Sequence, residues 1–217
     1  MEKKEPYNAV FWCSIYFSVI SGRMIMGTGF FRWTLMDILT PFLGFILMSV
    51  IWGLVIIILI TSIVLSLIYL VTSVRRQKFI ATIPLIICLF VVLGAYFIPF
   101  TKLSVSYDFR TNFSKRVEIV EQIQTGQLKI TPTYGENMSA VVLPPDKTSL
   151  SRGGGEVLYQ NNGSTTSVFF FTFKGIMDNF SGFIYRSDES NPFQTDFGGD
   201  YVELIKLRDH WFWAASG

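Results

Sequence analysis

Charge is scarce in this sequence. Only 16% of its 217 residues are Asp, Glu, Lys or Arg, against about a quarter in an average soluble domain. Cysteine is scarcer still, with two, and histidine occurs once. Cys13 and Cys88 both lie in apolar segments, which excludes a disulfide scaffold and leaves the C-terminal half without a thiol nucleophile. One histidine and no cysteine in that half give zinc no ligand set, and no cofactor motif points to a bound group. A net charge of +2 excludes the strongly basic footprint of a nucleic-acid binder. Half of the residues are apolar and 21 are Phe, which excludes a disordered chain. With a mean hydropathy of +0.43, what remains is a membrane protein with a modest water-soluble part.

The charges divide near residue 100. Residues 1–100 carry seven cations and three anions, residues 101–217 eleven and thirteen. Between Asp37 and Arg75 lie 37 residues without a formal charge, more than the roughly 20 that a spanning helix needs. A helix satisfies every backbone N–H and C=O within hydrocarbon. Thr40-Pro41 reads as an N-cap and first helical residue. No turn signal interrupts the run that follows, and Gly53 alone is a weak break. The pattern predicts one long helix over 41–74 and a second span over 79–99, ended by Pro99. Arg75, Arg76 and Lys78 form the tip of this helical hairpin. A third candidate is the 15-residue stretch 8–22, which is short and is followed by Arg23. An interfacial helix, an uncleaved signal segment and a short transmembrane helix all fit it.

Cations concentrate in cytoplasmic loops. Arg75, Arg76 and Lys78 are the densest cluster, so they act as topology determinants, with the tip in the cytoplasm and residues 101–217 outside the cell. Lys102, Arg110 and Lys115, together with Arg23 and Arg32, oppose this orientation. Large domains translocate with little regard for charge, which weakens the objection. If 8–22 spans as well, Lys3 and Lys4 join the cytoplasmic side and the two totals equalise. The expectation is a multi-pass protein of the cell membrane with an extracytoplasmic C-terminal domain.

The organisation expected is a membrane-anchored α+β chain. Residues 1–40 form an N-terminal apolar segment, 41–100 the transmembrane helical hairpin, and 101–217 a small β-rich soluble domain with one helix. The helical pattern runs over 112–128, with Val117, Ile119, Val120 and Ile123 on one side and Gly126 as terminator. Strands are predicted at 139–143, 156–160, 166–174, 183–186, 201–207 and 211–215. Asn161-Asn162-Gly163 makes a turn between the second and third of these. Residues 166–174 alternate Val168 and Phe170 with Phe169, Phe171 and Phe173. Both faces are apolar, so this is a central strand covered on each side.

The stretches RRQKFIATIPLII, VFFFTFKGIMDNFSGFIYRSD and DFGGDYVELIKLRDHWFWAAS resemble a family of small bacterial membrane proteins without an established activity. The resemblance covers about residues 75–217. It implies a membrane-anchored soluble domain and no particular chemistry.

Several constellations are candidates for chemistry, each beside a plainer reading. Arg152-Gly153-Gly154-Gly155 could form an anion-binding nest of backbone N–H groups. No Walker Lys follows it, and a flexible hairpin entry explains the glycines as well. Asp188, Glu189, Asp196 and Asp200 gather oxygens suited to Ca²⁺, but their spacing matches no calcium loop, so no metal is expected. His210 stands beside Asp209. Adjacent residues of a strand point to opposite faces, and no GxSxG elbow occurs, so a catalytic triad is not expected. Trp211 and Trp213 could form a binding platform, or alternate rings could be core. Asn112, Asn137, Asn162 and Asn179 head Asn-x-Ser sequons, relevant only on a eukaryotic secretory route.

The function expected is non-catalytic: a β-rich domain presented at the extracytoplasmic face for a partner or envelope component. The lipid bilayer and a membrane-protein partner are the expected partners, with no nucleic acid. The alternatives are a membrane-tethered hydrolase using carboxylates such as Glu156 and Asp178, and an accessory subunit of a transport or export complex. A transporter in its own right is disfavoured, since the two main spans contain no ionisable residue.

Overall fold

A computed structural model of the chain describes residues 6–39, 44–132, 138–175 and 179–216. The chain divides into two compact units. One comprises Met1–Arg32 and Phe45–Leu103, the other Trp33–Gly44 and Ser104–Gly217. The boundary thus falls close to residue 100, but the short segment between the first two apolar helices belongs with the C-terminal unit.

The first unit is helical. Helix α1 spans Pro6–Phe30, α3 Gly44–Gln77 and α4 Ile83–Phe97. The expected 8–22 segment is therefore a helix of 25 residues, about 37 Å long at 1.5 Å per residue. It continues through Arg23 because the residues beyond, Met24–Phe30, are again apolar and nothing breaks the pattern. The predicted start of the second helix at Thr40-Pro41 lies outside the described residues. After α3, Lys78 adopts a φ of 45° and the chain turns through a 3₁₀ segment, Lys78–Thr82. That turn makes α3 and α4 a hairpin, since Ser62 and Ser66 of α3 both reach Cys88 of α4, at 3.2 and 3.4 Å. Helix α1 runs parallel to α4, with Ser18 against Cys88 at 3.0 Å and Gly22 against Val91. Two helical stretches, Ala9–Phe30 and Ile46–Phe97, are long and apolar enough to cross a membrane, with mean hydropathies of 1.5 and 3.1.

The second unit holds a seven-stranded antiparallel sheet and, from Ser104 onward, helix α5 (Phe100–Gln124), packed along one face. The strands are β1 Ile130–Pro132, β2 Met138–Val142, β3 Glu156–Asn161, β4 Thr166–Lys174, β5 Phe180–Arg186, β6 Tyr201–Arg208 and β7 Trp211–Ser216. Their order is β1-β2-β3-β4-β5-β7-β6, so β4 is central, as its two apolar faces require. Val168 and Phe170 join the α5-side core, and Phe169 and Phe171 the opposite one. Burying each such ring is worth about 1.5–3 kcal/mol. A bulge between Phe171 and Phe173 then interrupts the alternation. Gly182 has to be glycine, because a Cβ there would stand 2.3 Å from the Phe170 carbonyl oxygen and 2.4 Å from the Phe169 ring.

Helix α5 starts twelve residues earlier than the predicted 112–128 segment. Val105, Phe109, Arg116, Ile119, Val120 and Ile123 are its buried residues. The spacing is helical throughout, but an arginine at a core position hides the pattern. Strand β5 likewise begins at Phe180 rather than 183, with Ser181 and Gly182 inside the ladder.

Candidate functional site

The helical unit turns many large apolar side chains outward and packs a seam of hydroxyl groups inside, beside buried Ile25, Met48, Val55 and Tyr69. Its interior holds Ser14, Ser18, Ser21, Ser62 and Ser66, all 0% exposed, with Cys88 at 1%. Its outside carries Ile56, Ile57, Ile60, Leu89 and Phe90, each between 52% and 70% exposed. The interior groups form one network: Ser18 Oγ lies 2.5 Å from Ser62 Oγ and 3.0 Å from Cys88 Sγ, while Ser62 Oγ donates to the Ser14 carbonyl at 2.9 Å. Positions 14, 18, 21, 25 and 28 of α1 are all buried, which is heptad spacing filled mostly by Ser and Thr. Sequence reasoning passed over this seam. The signal was the recurrence of hydroxyl residues at intervals of three and four inside an apolar run.

Arg23 lies within the longer α1 and is exposed, so that helix does carry an ionisable residue. It stands seven positions before Phe30, about 10 Å from the helix end.

In the sheet unit, Arg116 is the polar group that sequence reasoning missed. Only 1% exposed, it meets both carboxylate oxygens of Asp108 at 3.1 and 3.2 Å and lies 4.1 Å above the Phe183 ring. Its Nε has no hydrogen-bond partner. Burial lowers its pKa, the charge and hydrogen bond of Asp108 oppose that, and Arg152 adds a smaller lowering.

The acidic loop after β5 is organised around a cation of its own. Arg186, 6% exposed, donates from Nε and Nη2 to Asp188 at 3.1 Å each and from Nη1 to Asp196 at 2.7 Å. The Arg186 guanidinium, with help from Ser190, holds the Asp188 carboxyl well below the usual carboxylate range. The Asp188 and Asp196 oxygens face this arginine. Among the described residues no group of three or more His, Cys, Asp or Glu is placed to hold a metal ion. Beside the loop, the buried Tyr201 hydroxyl has no hydrogen-bond partner, and burial, with Asp196 second, raises its pKa.

The sequence candidates fall at separate places. Gly153, Gly154 and Gly155 have φ of 73°, 92° and 75°, three left-handed residues in succession rather than the alternating signs of a nest. Arg152 N–H donates to the Phe171 carbonyl and Gly155 N–H to the Ser151 carbonyl. The buried Ser151 hydroxyl accepts from Phe171 N–H and donates to the Glu156 carbonyl. The turn is thus a clasp on the end of β4, and the Arg152 side chain donates to Thr34 of the short helix α2, Arg32–Leu39, at 3.2 Å. Trp211 and Trp213 are 3% and 0% exposed and lie in the α5-side core. They form no surface platform, because the alternation of β7 points both rings under α5.

Glu156 pairs with Lys174 and Asp209 with Lys206. Four strand spacings separate β3 from β6, about 19 Å, so Glu156 and Asp209 do not converge. Asp178 lies outside the described residues. His210 sits in a left-handed turn, φ 65°, not in a strand. Its Nδ1 is 2.8 Å from the Arg186 carbonyl and its Nε2 3.0 Å from Glu189, so its partners are those two acceptors and not Asp209.

Comparison with protein-family models, curated proteins and solved structures found no match to this chain. The resemblance drawn from the three sequence stretches rests on those stretches alone.

Proposed function

We propose that α1, α3 and α4 are embedded in a lipid bilayer, and that the chain is a membrane-anchored, non-catalytic protein whose β-rich domain binds a partner. The observation that carries this reading is the outer face of the helical unit, where large aliphatic and aromatic side chains stand exposed around an interior that includes a seam of hydroxyls and a thiol. Only 22% of either apolar window is buried within the protein. Water would leave those faces unpaired with any apolar surface, whereas hydrocarbon solvates them at no cost. Interhelical hydroxyl contacts between small residues are the means by which helices associate in lipid. Exposed Phe79 stands just before α4 and exposed Tyr96 at its end, with about 20 Å of helix from Ile83 to Tyr96 at 1.5 Å per residue. That placement suits aromatic belts at both interfaces.

With α1 spanning, the cation totals of the two sides equalise, and the tip is assigned to the cytoplasm because Arg75, Arg76 and Lys78 are the densest cluster, which leaves the C-terminal domain extracytoplasmic. Phe11 of α1 packs on Tyr69 near the end of α3, so α1 begins at the tip end, and the chain before it carries Lys3 and Lys4. Under the positive-inside bias these join Arg75, Arg76 and Lys78. The binding role, in place of hydrolysis, is favoured by the scatter of the carboxylates and by the engagement of Glu156, Asp188 and Asp196 with basic side chains.

The test pairs a periplasm-active reporter fused after Gly217 with affinity purification from solubilised membranes. The reading expects an active reporter and a stoichiometric membrane or envelope partner. A reporter active only in the cytoplasm contradicts the orientation, and recovery of the chain alone contradicts the binding role.

A further inference from the structure

We propose that the tip of the β3–β4 hairpin is a site of self-modification, where Asn162 closes onto the backbone nitrogen of Gly163 and is converted by water to aspartate and isoaspartate. Asparagine is among the chemically labile residues. Asn162 is followed by glycine, and no other asparagine of the chain is. Strand β3 ends at Asn161 and β4 begins at Thr166, and Asn161, Asn162, Gly163 and Ser164 are all exposed. Ring closure needs the side-chain amide carbon to be open to attack and the next backbone N–H to be able to leave its partner. Glycine meets the second need best, because no Cβ screens its nitrogen. Gly163 also sits in open space, where even an added Cβ would meet nothing within 4 Å.

The hydrogen bonds single out this pair among the described asparagine side chains. Phe113, after Asn112, lies inside α5. The N–H of Asn162, after Asn161, donates to the Thr165 carbonyl at 3.1 Å. The N–H of Phe180, after Asn179, donates to Ser216 Oγ at 2.8 Å in the core. Asn191 is followed by Pro192, which has no N–H. The Gly163 N–H, by contrast, donates to an exposed side chain, Asn161 Oδ1, at 3.0 Å. Such a bond at a hairpin tip opens locally at little cost.

The step balances without a cofactor. The Gly163 nitrogen gives up its proton and bonds to Asn162 Cγ, the Cγ–Nδ2 bond breaks, and ammonia leaves. Water then opens the succinimide ring. Cleavage of the new bond gives aspartate, and cleavage at the main-chain carbonyl gives isoaspartate, with the chain running through the side-chain carbon. Residues 157–173 carry no formal charge, so either product places a carboxylate on a neutral hairpin. Isoaspartate also lengthens the connection between β3 and β4 by one carbon.

The experiment incubates the full-length protein in detergent at mildly alkaline pH beside a synthetic peptide of residues 158–166, and locates the products by peptide mass spectrometry. The expected result is acid at Asn162 of the folded protein, as a mixture of aspartate and isoaspartate, with Asn112, Asn161, Asn179 and Asn191 intact. Because the tip opens readily, the rate is expected to fall within about tenfold of the peptide's. An intact Asn162 in the protein overturns the proposal, whether or not the peptide converts. Aspartate at 162 without isoaspartate overturns it as well, since direct hydrolysis makes no ring. Conversion of Asn112, Asn161 or Asn179 as fast as Asn162 overturns the selection by the Gly163 amide.

Discussion

Arg116 is the residue on which the sheet unit makes its largest electrostatic commitment. A guanidinium 1% exposed is tolerated because Asp108, Phe183 and the Leu150 carbonyl surround it. Removing one member of a buried pair leaves an uncompensated charge, whereas replacing both with apolar groups often restores stability. Asp108 is itself 38% exposed, so Asp108→Ala is expected to cost about 1–3 kcal/mol, and adding Arg116→Met to recover most of it. Chemical unfolding of the protein in detergent measures both, and an Asp108→Ala variant as stable as the wild type would contradict this account. Asp188 supplies the pH-dependent counterpart. Its folded-state pKa is depressed by Arg186 first and Ser190 second. The stabilisation is therefore present above the ordinary carboxylate range, near pH 4, and is lost as the pH falls below it. Near-UV circular dichroism should hold steady from neutral pH to about 4 and change below that, and the change should shrink in Asp188→Asn. Superimposable acid profiles for the two proteins would refute it.

Among the elements, the helical seam makes the sharpest prediction. Ser18 touches Ser62 and Cys88, so Ser18→Ala should cost about 0.6 kcal/mol, the usual worth of an interhelical hydrogen bond in a membrane protein. Ser18→Leu should cost about 1–3 kcal/mol through overpacking. Unfolding in mixed micelles with increasing dodecyl sulfate tests both, and a Ser18→Leu protein as resistant as the wild type would show that the three helices do not meet there. Legibility also differed among elements for physical reasons. Strands β4 and β7 were readable because their alternation or aromatic density leaves one solution. The start of α5 was hidden, since Ser104 and Ser106 flank Val105 and the charges of Lys102, Asp108 and Arg110 break up the apolar pattern. Strand β1, three residues long, is held by its ladder to β2 and has no local signature. The candidate site fared least well: the clasp at Gly153–Gly155 and the two tryptophans were visible as patterns, but their burial is set by partners distant in sequence.

For the whole molecule, the division into two units near residue 100 was legible in charge spacing alone, because a long run without formal charge gives way there to a charged remainder. The membership of Trp33–Gly44 in the second unit was not, since the bond that ties it there runs from Arg152 to Thr34 across 118 positions. The central claim concerns the medium around α1, α3 and α4. Flotation of alkaline-carbonate-washed membranes from cells expressing the full-length chain tests it most directly. The chain is expected to float with the lipid and to leave it only on detergent extraction. Recovery in the carbonate supernatant, or in the soluble fraction of a detergent-free lysate as a monomer, would contradict the claim.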